Sequence, residues 1–148
     1  MRAFWDRAVK AGRDLLSGSC SGQTRRQIGE YAAAHPALKI EPEAVLSGEM
    51  TPQAAVAWVR EQPAGIAPLV YSSADPDVVR AAQAAFGREE VASALEGFFA
   101  AAAVQLVADG YERLVVAGGE TSGAVVEALD LLALDVGPEI APGVPALK

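Results

Sequence analysis

Apolar positions along this chain alternate between short unbroken runs and longer stripes at helical spacing, and that alternation predicts strands interleaved with helices. Pro68-Leu69-Val70-Tyr71-Ser72-Ser73 is a continuous apolar run ending in hydroxyls, the pattern of a strand buried on both faces. Arg113-Leu114-Val115-Val116-Ala117 has the same character and is the clearest strand. Ala37 to Ile40 predicts a shorter one, Leu15-Leu16 leads into a small-residue turn, and Leu131 to Val136 reads as a last strand. Between them the spacing predicts helices over 24–34, ended by His35-Pro36, and from a Thr51-Pro52 cap whose apolar face is Ala55, Val56, Trp58 and Val59. Further helices are predicted from Asp75-Pro76, over 88–109 with Gly110 as terminator, and over 124–129. A short helix over 2–11 would stop at Gly12, and the tail over 137–145 reads as a Pro/Gly-rich loop. Strands alternating with helices imply an α/β fold, Rossmann-like, with three αβα layers around a mostly parallel sheet. Such sheets place ligands at the carboxyl ends of their strands.

Composition narrows the picture. With 148 residues, 51% of them hydrophobic and 21% charged, the chain fits one globular domain over 1–148. A formal charge of −7 with scattered basic residues argues against a nucleic-acid surface. It leaves an anion site open, because backbone N–H groups at helix starts bind anions without cationic side chains. The single cysteine, Cys20, permits neither an intrachain disulfide nor a thiolate zinc site. Arg2, Asp6 and Arg7 precede any apolar run, unlike a signal peptide. The apolar stretch over 97–108, interrupted by Gln105, falls short of the ~20 residues that span a bilayer and predicts a buried helix. Together these features predict a soluble cytoplasmic protein with no membrane partner.

Candidate chemistry sits where strands hand over to helices. Ser17 to Gly22 and Gly118 to Gly123 are both strand-glycine-helix junctions. Glycine lets a ligand approach the backbone, and the first helical N–H groups lack internal partners while the macrodipole adds positive character. Ser19, Ser21, Thr121 and Ser122 add hydroxyls that either bind a polyphosphate or cap the helices. The plainer alternative, two tight βα turns with caps, stays open. Neither junction is a P-loop, since no lysine follows, and neither has the Gly-x-Gly-x-x-Gly spacing of dinucleotide folds. Glu41 and Glu43 stand near a ribose-binding carboxylate's expected place, a spacing read as coincidental. Glu120 faces a metal ion or simply favours the helix dipole. His35, Cys20, Trp5, Trp58 and the Phe98-Phe99 pair read as surface or packing residues, and Asp75 and Asp77 as helix-start residues, which leaves no obvious general base.

The segment Val116-Ala117-Gly118-Gly119-Glu120-Thr121-Ser122-Gly123-Ala124-Val125 resembles the four-carbon acid sugar kinase family, which includes 3-oxo-tetronate, D-threonate and D-erythronate kinases. Ser17-Gly18-Ser19-Cys20-Ser21, Tyr71-Ser72-Ser73-Ala74, and Val136-Gly137-Pro138-Glu139-Ile140 continuing to Pro142-Gly143-Val144-Pro145 match in the same order. The resemblance implies a two-domain kinase of which this chain is the carboxy-terminal, ATP-binding domain, with the sugar acid held by an absent amino-terminal partner. By that analogy Ser19, Ser21, Gly118, Gly119, Glu120, Thr121, Ser122 and Gly123 contact the nucleotide, with Pro138 and Glu139 close by and Glu139 helping to organise Mg2+ or its loop. No catalytic residue and no protein-held metal site is assigned. Two departures stand out. Ala141 occupies a position where the family usually has Asp, and the family continues past Gly-Val-Pro into another strand and a Gly-rich turn. The chain is therefore expected to be a fragment that lacks its terminal strand, is inactive alone, and self-associates as a homo-oligomer through an unpaired sheet edge. The competing expectation is a non-catalytic module that binds an anion or nucleotide, or serves as an assembly surface.

Overall fold

The computed structural model describes residues 14–18, 22–63, 65–72, 76–141 and 144–147. Their order is β1 (Asp14–Ser17), α1 (Gly22–Ala32), β2 (Ala37–Lys39), α2 (Pro42–Leu46), α3 (Pro52–Arg60), β3 (Leu69–Tyr71), α4 (Pro76–Phe86), α5 (Arg88–Ala108), β4 (Leu114–Ala117), α6 (Gly119–Ala128), β5 (Val136–Ala141) and β6 (Val144–Leu147). The expected helix over 2–11, with Trp5, lies outside the described residues, as do Ser19, Cys20, Ser21, Ser73, Ala74, Asp75, Pro142 and Gly143.

β1 to β4 form one sheet in the order β2-β3-β1-β4, with every neighbouring pair parallel. Leu15 registers with Leu69 on one side and Val115 on the other, and Ser17 with Tyr71 and Ala117. Because side chains alternate across a strand, this register sorts the apolar residues into two cores. Leu69 packs with Ile28 and Tyr31 of α1, joined by Ala37, Tyr71 and Val115. Leu16 and Val70 point the other way and pack with Val56 and Val59 of α3, Phe98, Phe99 and Leu106 of α5, and Val125 of α6. Helices thus cover both faces of the sheet, which is the expected three-layer α/β architecture.

α5 is the centre of the larger core. Val91, Phe98, Phe99, Ala100, Ala102, Ala103 and Leu106 are buried, and the Phe98 and Phe99 rings meet edge to face at 5.5 Å and 86°. It has 21 residues, with an 18-residue window of mean hydropathy 1.7, and is the one helix among the described residues long and apolar enough to cross a membrane by length and composition alone. This corrects the expectation of a stretch too short to do so. The apolar character extends back to Val91 through the alanines, whereas the sequence reading took only the densest part over 97–108. On the other face, Tyr31 fixes α1 by donating its hydroxyl to the Ala67 carbonyl at 2.5 Å, and its ring stacks on His35 at 4.4 Å.

Local signals explain most boundaries. Thr51 caps α3 by accepting from the Ala54 amide at 3.2 Å, with Pro52 in the first turn. Gly110, at φ 91°, turns the chain out of α5. The carboxy-terminal expectation is corrected. Residues 131–135 form no strand, and the predicted loop is a two-stranded antiparallel hairpin in which Val136 registers with Leu147 and Glu139 with Pro145. Pro138 has no N–H to give to a ladder, and the register shifts on either side of Glu139 show how an isolated hairpin accommodates such residues.

Candidate functional site

The sheet order makes β1 and β4 immediate neighbours, so the two glycine junctions leave the sheet side by side. The Gly18 amide donates to the Ala117 carbonyl at 3.1 Å, and the Ser72 amide donates to the Ser17 carbonyl at 3.0 Å. The carboxyl ends of β3, β1 and β4 therefore form one continuous rim.

At Gly118 the chain turns with φ 117°, a conformation that favours glycine, and α6 begins at the next residue. The helix was expected only from Ala124; it starts five positions earlier, and Glu120 to Gly123 belong to it. Two adjacent glycines read as a turn because glycine is a poor helix former. That penalty is small at the first helical position, where the amide has no intrahelical partner in any case. The helical ladder opens with the Ser122 amide donating to the Gly118 carbonyl at 2.9 Å. The amides of Gly119, Glu120 and Thr121 precede that bond, and Gly118 offers no side-chain cap. These N–H groups, with the positive end of the helix dipole behind them, are what an anion would use.

The predicted residues take different positions around this start. Gly119 is exposed, and a Cβ built on it meets nothing within 4 Å, so its lack of a side chain keeps the approach open. Glu120 and Gly123 are exposed, and Ser122 is half-buried. Thr121 is 5% exposed and turned toward β1: a Cβ built on Gly18 would lie 2.1 Å from its Oγ1 and 3.3 Å from its Cγ2. Thr121 therefore joins the two junctions as a packing residue, and Gly18 is glycine because α6 comes this close. Ser19 and Ser21 lie outside the described residues. Pro138 and Glu139 are exposed on β5, in the hairpin rather than the four-stranded sheet. Glu41 pairs with Lys39 at 2.7 Å beyond β2, which β3 separates from β1, in keeping with a coincidental spacing.

Sequence reasoning did not single out two features. The hydroxyls of Ser17 and Ser72, at 0% and 1% exposure, are buried without a hydrogen-bond partner at the rim. Each closes an apolar run and stands in a segment that carries the family resemblance, but neither signal shows that its hydroxyl is left without a partner. The second feature is a surface cavity of about 510 Å³ along the outer side of α6, lined by Ser122, Gly123, Val126, Glu127, Asp130 and Leu131. Among the described residues no group of three or more His, Cys, Asp or Glu side chains is placed to hold a metal ion.

Comparison with known proteins agrees with this architecture. Residues 15–148 match the family described as the nucleotide-binding C-terminal domain. The chain is 47% identical over 133 residues to the 3-oxo-tetronate kinase of Methylobacterium radiotolerans, covering 90% of this chain and 31% of that protein. It is 38% identical over 146 residues to the 3-oxo-tetronate kinase of Escherichia coli K12, covering 93% and 38% respectively. A solved Haemophilus influenzae protein superposes with a TM-score of 0.86 at 35% identity, over 93% of this chain and 34% of that one. A Salmonella typhimurium LT2 structure gives a TM-score of 0.84 at 34% identity, over 97% and 37%. The chain thus spans about a third of the length of the curated relatives it matches. By sequence match and by fold, it belongs to the four-carbon acid sugar kinase family, as the nucleotide-binding carboxy-terminal domain.

Proposed function

We propose that this chain is the ATP-binding part of a kinase that transfers the γ-phosphoryl group of Mg-ATP to a hydroxyl of a four-carbon sugar acid. The observation that carries this reading is the adjacency of the β1 and β4 ends, with the amides of Gly119, Glu120 and Thr121 ahead of the first helical bond of an uncapped α6. Phosphoryl transfer depends chiefly on positioning and on neutralising charge, which such a rim supplies to a polyphosphate. The Ser122 hydroxyl adds a donor beside these amides, and Gly119 lets the phosphates reach the backbone. By the family resemblance Ser19 and Ser21 are expected to contact the nucleotide as well. Mg2+ would arrive largely with the nucleotide, held by phosphate oxygens and water, with Glu139 ordering its surroundings.

The acceptor and its base belong to a partner domain, so the isolated chain is expected not to phosphorylate D-threonate or a 3-oxo-tetronate. A cytoplasmic setting fits this chemistry and the single cysteine. Self-association is part of the same proposal, with Leu132 fully exposed and Val136 and Leu147 largely so. Calorimetric titration with Mg-ATP tests the reading. Binding that weakens at least tenfold in Gly119→Val, whose side chain enters open space and leaves the fold intact, supports it. No binding at millimolar ATP would favour a non-catalytic assembly surface.

A further inference from the structure

We infer that the chain's own amino-terminal segment, residues 1–13, docks on the cavity along the outer side of α6, as an arm whose cations pair with Glu127 and Asp130. This goes beyond the phosphate site proposed above and does not rest on it. The cavity, of about 510 Å³, joins two apolar side chains, Val126 and Leu131, to these two carboxylates. Both acids stand in or just past the last turn of α6, where the helix dipole disfavours negative charge and no basic residue compensates. Among the described residues neither has an ion-pair partner. The carboxylates would repel an anion, so the surface calls for a partner that is both apolar and cationic.

The amino-terminal segment, which lies outside the described residues, has that chemistry in its sequence. Arg2, Arg7, Lys10 and Arg13 stand against a single acid, Asp6, in a chain whose formal charge is −7. At helical spacing Phe4, Ala8 and Ala11 fall in one row with Trp5 and Val9 beside it, and the charged residues take the opposite side. An anionic lipid surface would suit the same pattern, but the topology favours the cavity. β1 begins at Asp14, which registers with Leu114 at the amino end of β4. α6 starts at the carboxyl end of β4 and returns across the sheet, with Thr121 against Gly18 and with Leu129 and Leu114 both packed on the larger core. Residue 13 and the last turn of α6 thus lie at the same end of the sheet. A helix over 2–11 would be about 15 Å long, and the lining positions from Ser122 to Asp130 span about 12 Å of α6. Exposed ion pairs contribute little, so they orient the arm while Phe4 and Trp5 supply the buried area.

The test is disulfide trapping in the full chain, with Cys20→Ser as background, Val9→Cys on the arm and Val126→Cys in the cavity. A disulfide needs Cα atoms within about 7 Å, so the bond forms efficiently only where the arm docks. Oxidation with copper phenanthroline in air should trap the intrachain bond at least tenfold faster than in a control pairing Val9→Cys with Ala57→Cys, an exposed position on α3. Arg7→Glu/Lys10→Glu should slow trapping at least threefold, and adding Glu127→Lys/Asp130→Lys should restore it, a reciprocity that chance encounters of a tail would not show. Circular dichroism verifies the fold of each variant. Trapping no faster than in the control, or indifferent to the charge reversals, overturns the docking. Bonds found only between chains place the arm on a second copy and overturn it too, as does charge-dependent binding to phosphatidylserine vesicles without intrachain trapping.

Discussion

Gly18→Ala isolates the contact that joins the two halves of the site. Gly18 has no positive φ, so alanine meets no backbone objection and the effect is steric. The new methyl would stand 2.1 Å from Thr121 Oγ1, 3.2 Å from its Cβ and 3.3 Å from its Cγ2. Rotating Thr121 moves the hydroxyl aside, but the β-branched side chain has few rotamers in a helix, and its Cβ and Cγ2 already crowd the new methyl. The remaining relief is for α6 to retreat from β1. Overpacking of this kind costs about 1–3 kcal/mol. A 2 kcal/mol loss would lower Tm by roughly 4–8 °C in a domain of this size. Urea denaturation of Gly18→Ala, Thr121→Ala and the double variant separates the contact from the rest. Truncating Thr121 should relieve the clash, giving a coupling energy of about 0.5 kcal/mol or more between the two sites. Because α6 carries the free amides, Gly18→Ala should also weaken Mg-ATP binding. A variant as stable as the parent, or strictly additive effects, would refute the claim that Gly18 is glycine to admit Thr121.

Two smaller perturbations probe the scaffold. Ser72→Ala removes a buried hydroxyl without a partner, and such groups carry a desolvation penalty of about 1–3 kcal/mol, so chemical denaturation should find the variant as stable as the parent or more stable. A clear loss would mean that a water or ligand satisfies Ser72. Thr51→Ala deletes the cap that accepts from Ala54 and should cost about 1 kcal/mol, measurable in the same assay.

Much of this fold was legible in the sequence, for identifiable reasons. Leu69-Val70 and Leu114 to Ala117 are apolar on both faces, as suits a strand covered on both sides, and Thr51-Pro52 states its helix start in local chemistry. The start of α6 was misplaced because Gly118 and Gly119 play different parts that composition cannot separate: one supplies a positive φ, the other an uncapped first helical amide. The β5–β6 hairpin was hidden by its prolines and glycine, which argue for a loop until the Val136–Leu147 pairing is known. The strand order was also out of reach. That Leu15 lies between Leu69 and Val115 depends on contacts distant in sequence, and no local pattern encodes it. The site inherits this division. Its glycines and hydroxyls were recognisable one by one, whereas the contact of Thr121 with Gly18 and the orphan hydroxyls of Ser17 and Ser72 arise only from packing.

The central claim is that the opening amides of α6, beside the end of β1, receive the nucleotide's phosphates. Following backbone amide resonances by NMR during Mg-ATP titration tests it most directly. The account predicts saturable shifts at Gly119, Glu120 and Thr121, accompanied by Gly18, while amides in the first turn of α3 stay in place. Shifts confined to the β5–β6 hairpin or to the β2 edge, or no shifts at millimolar Mg-ATP, would contradict it.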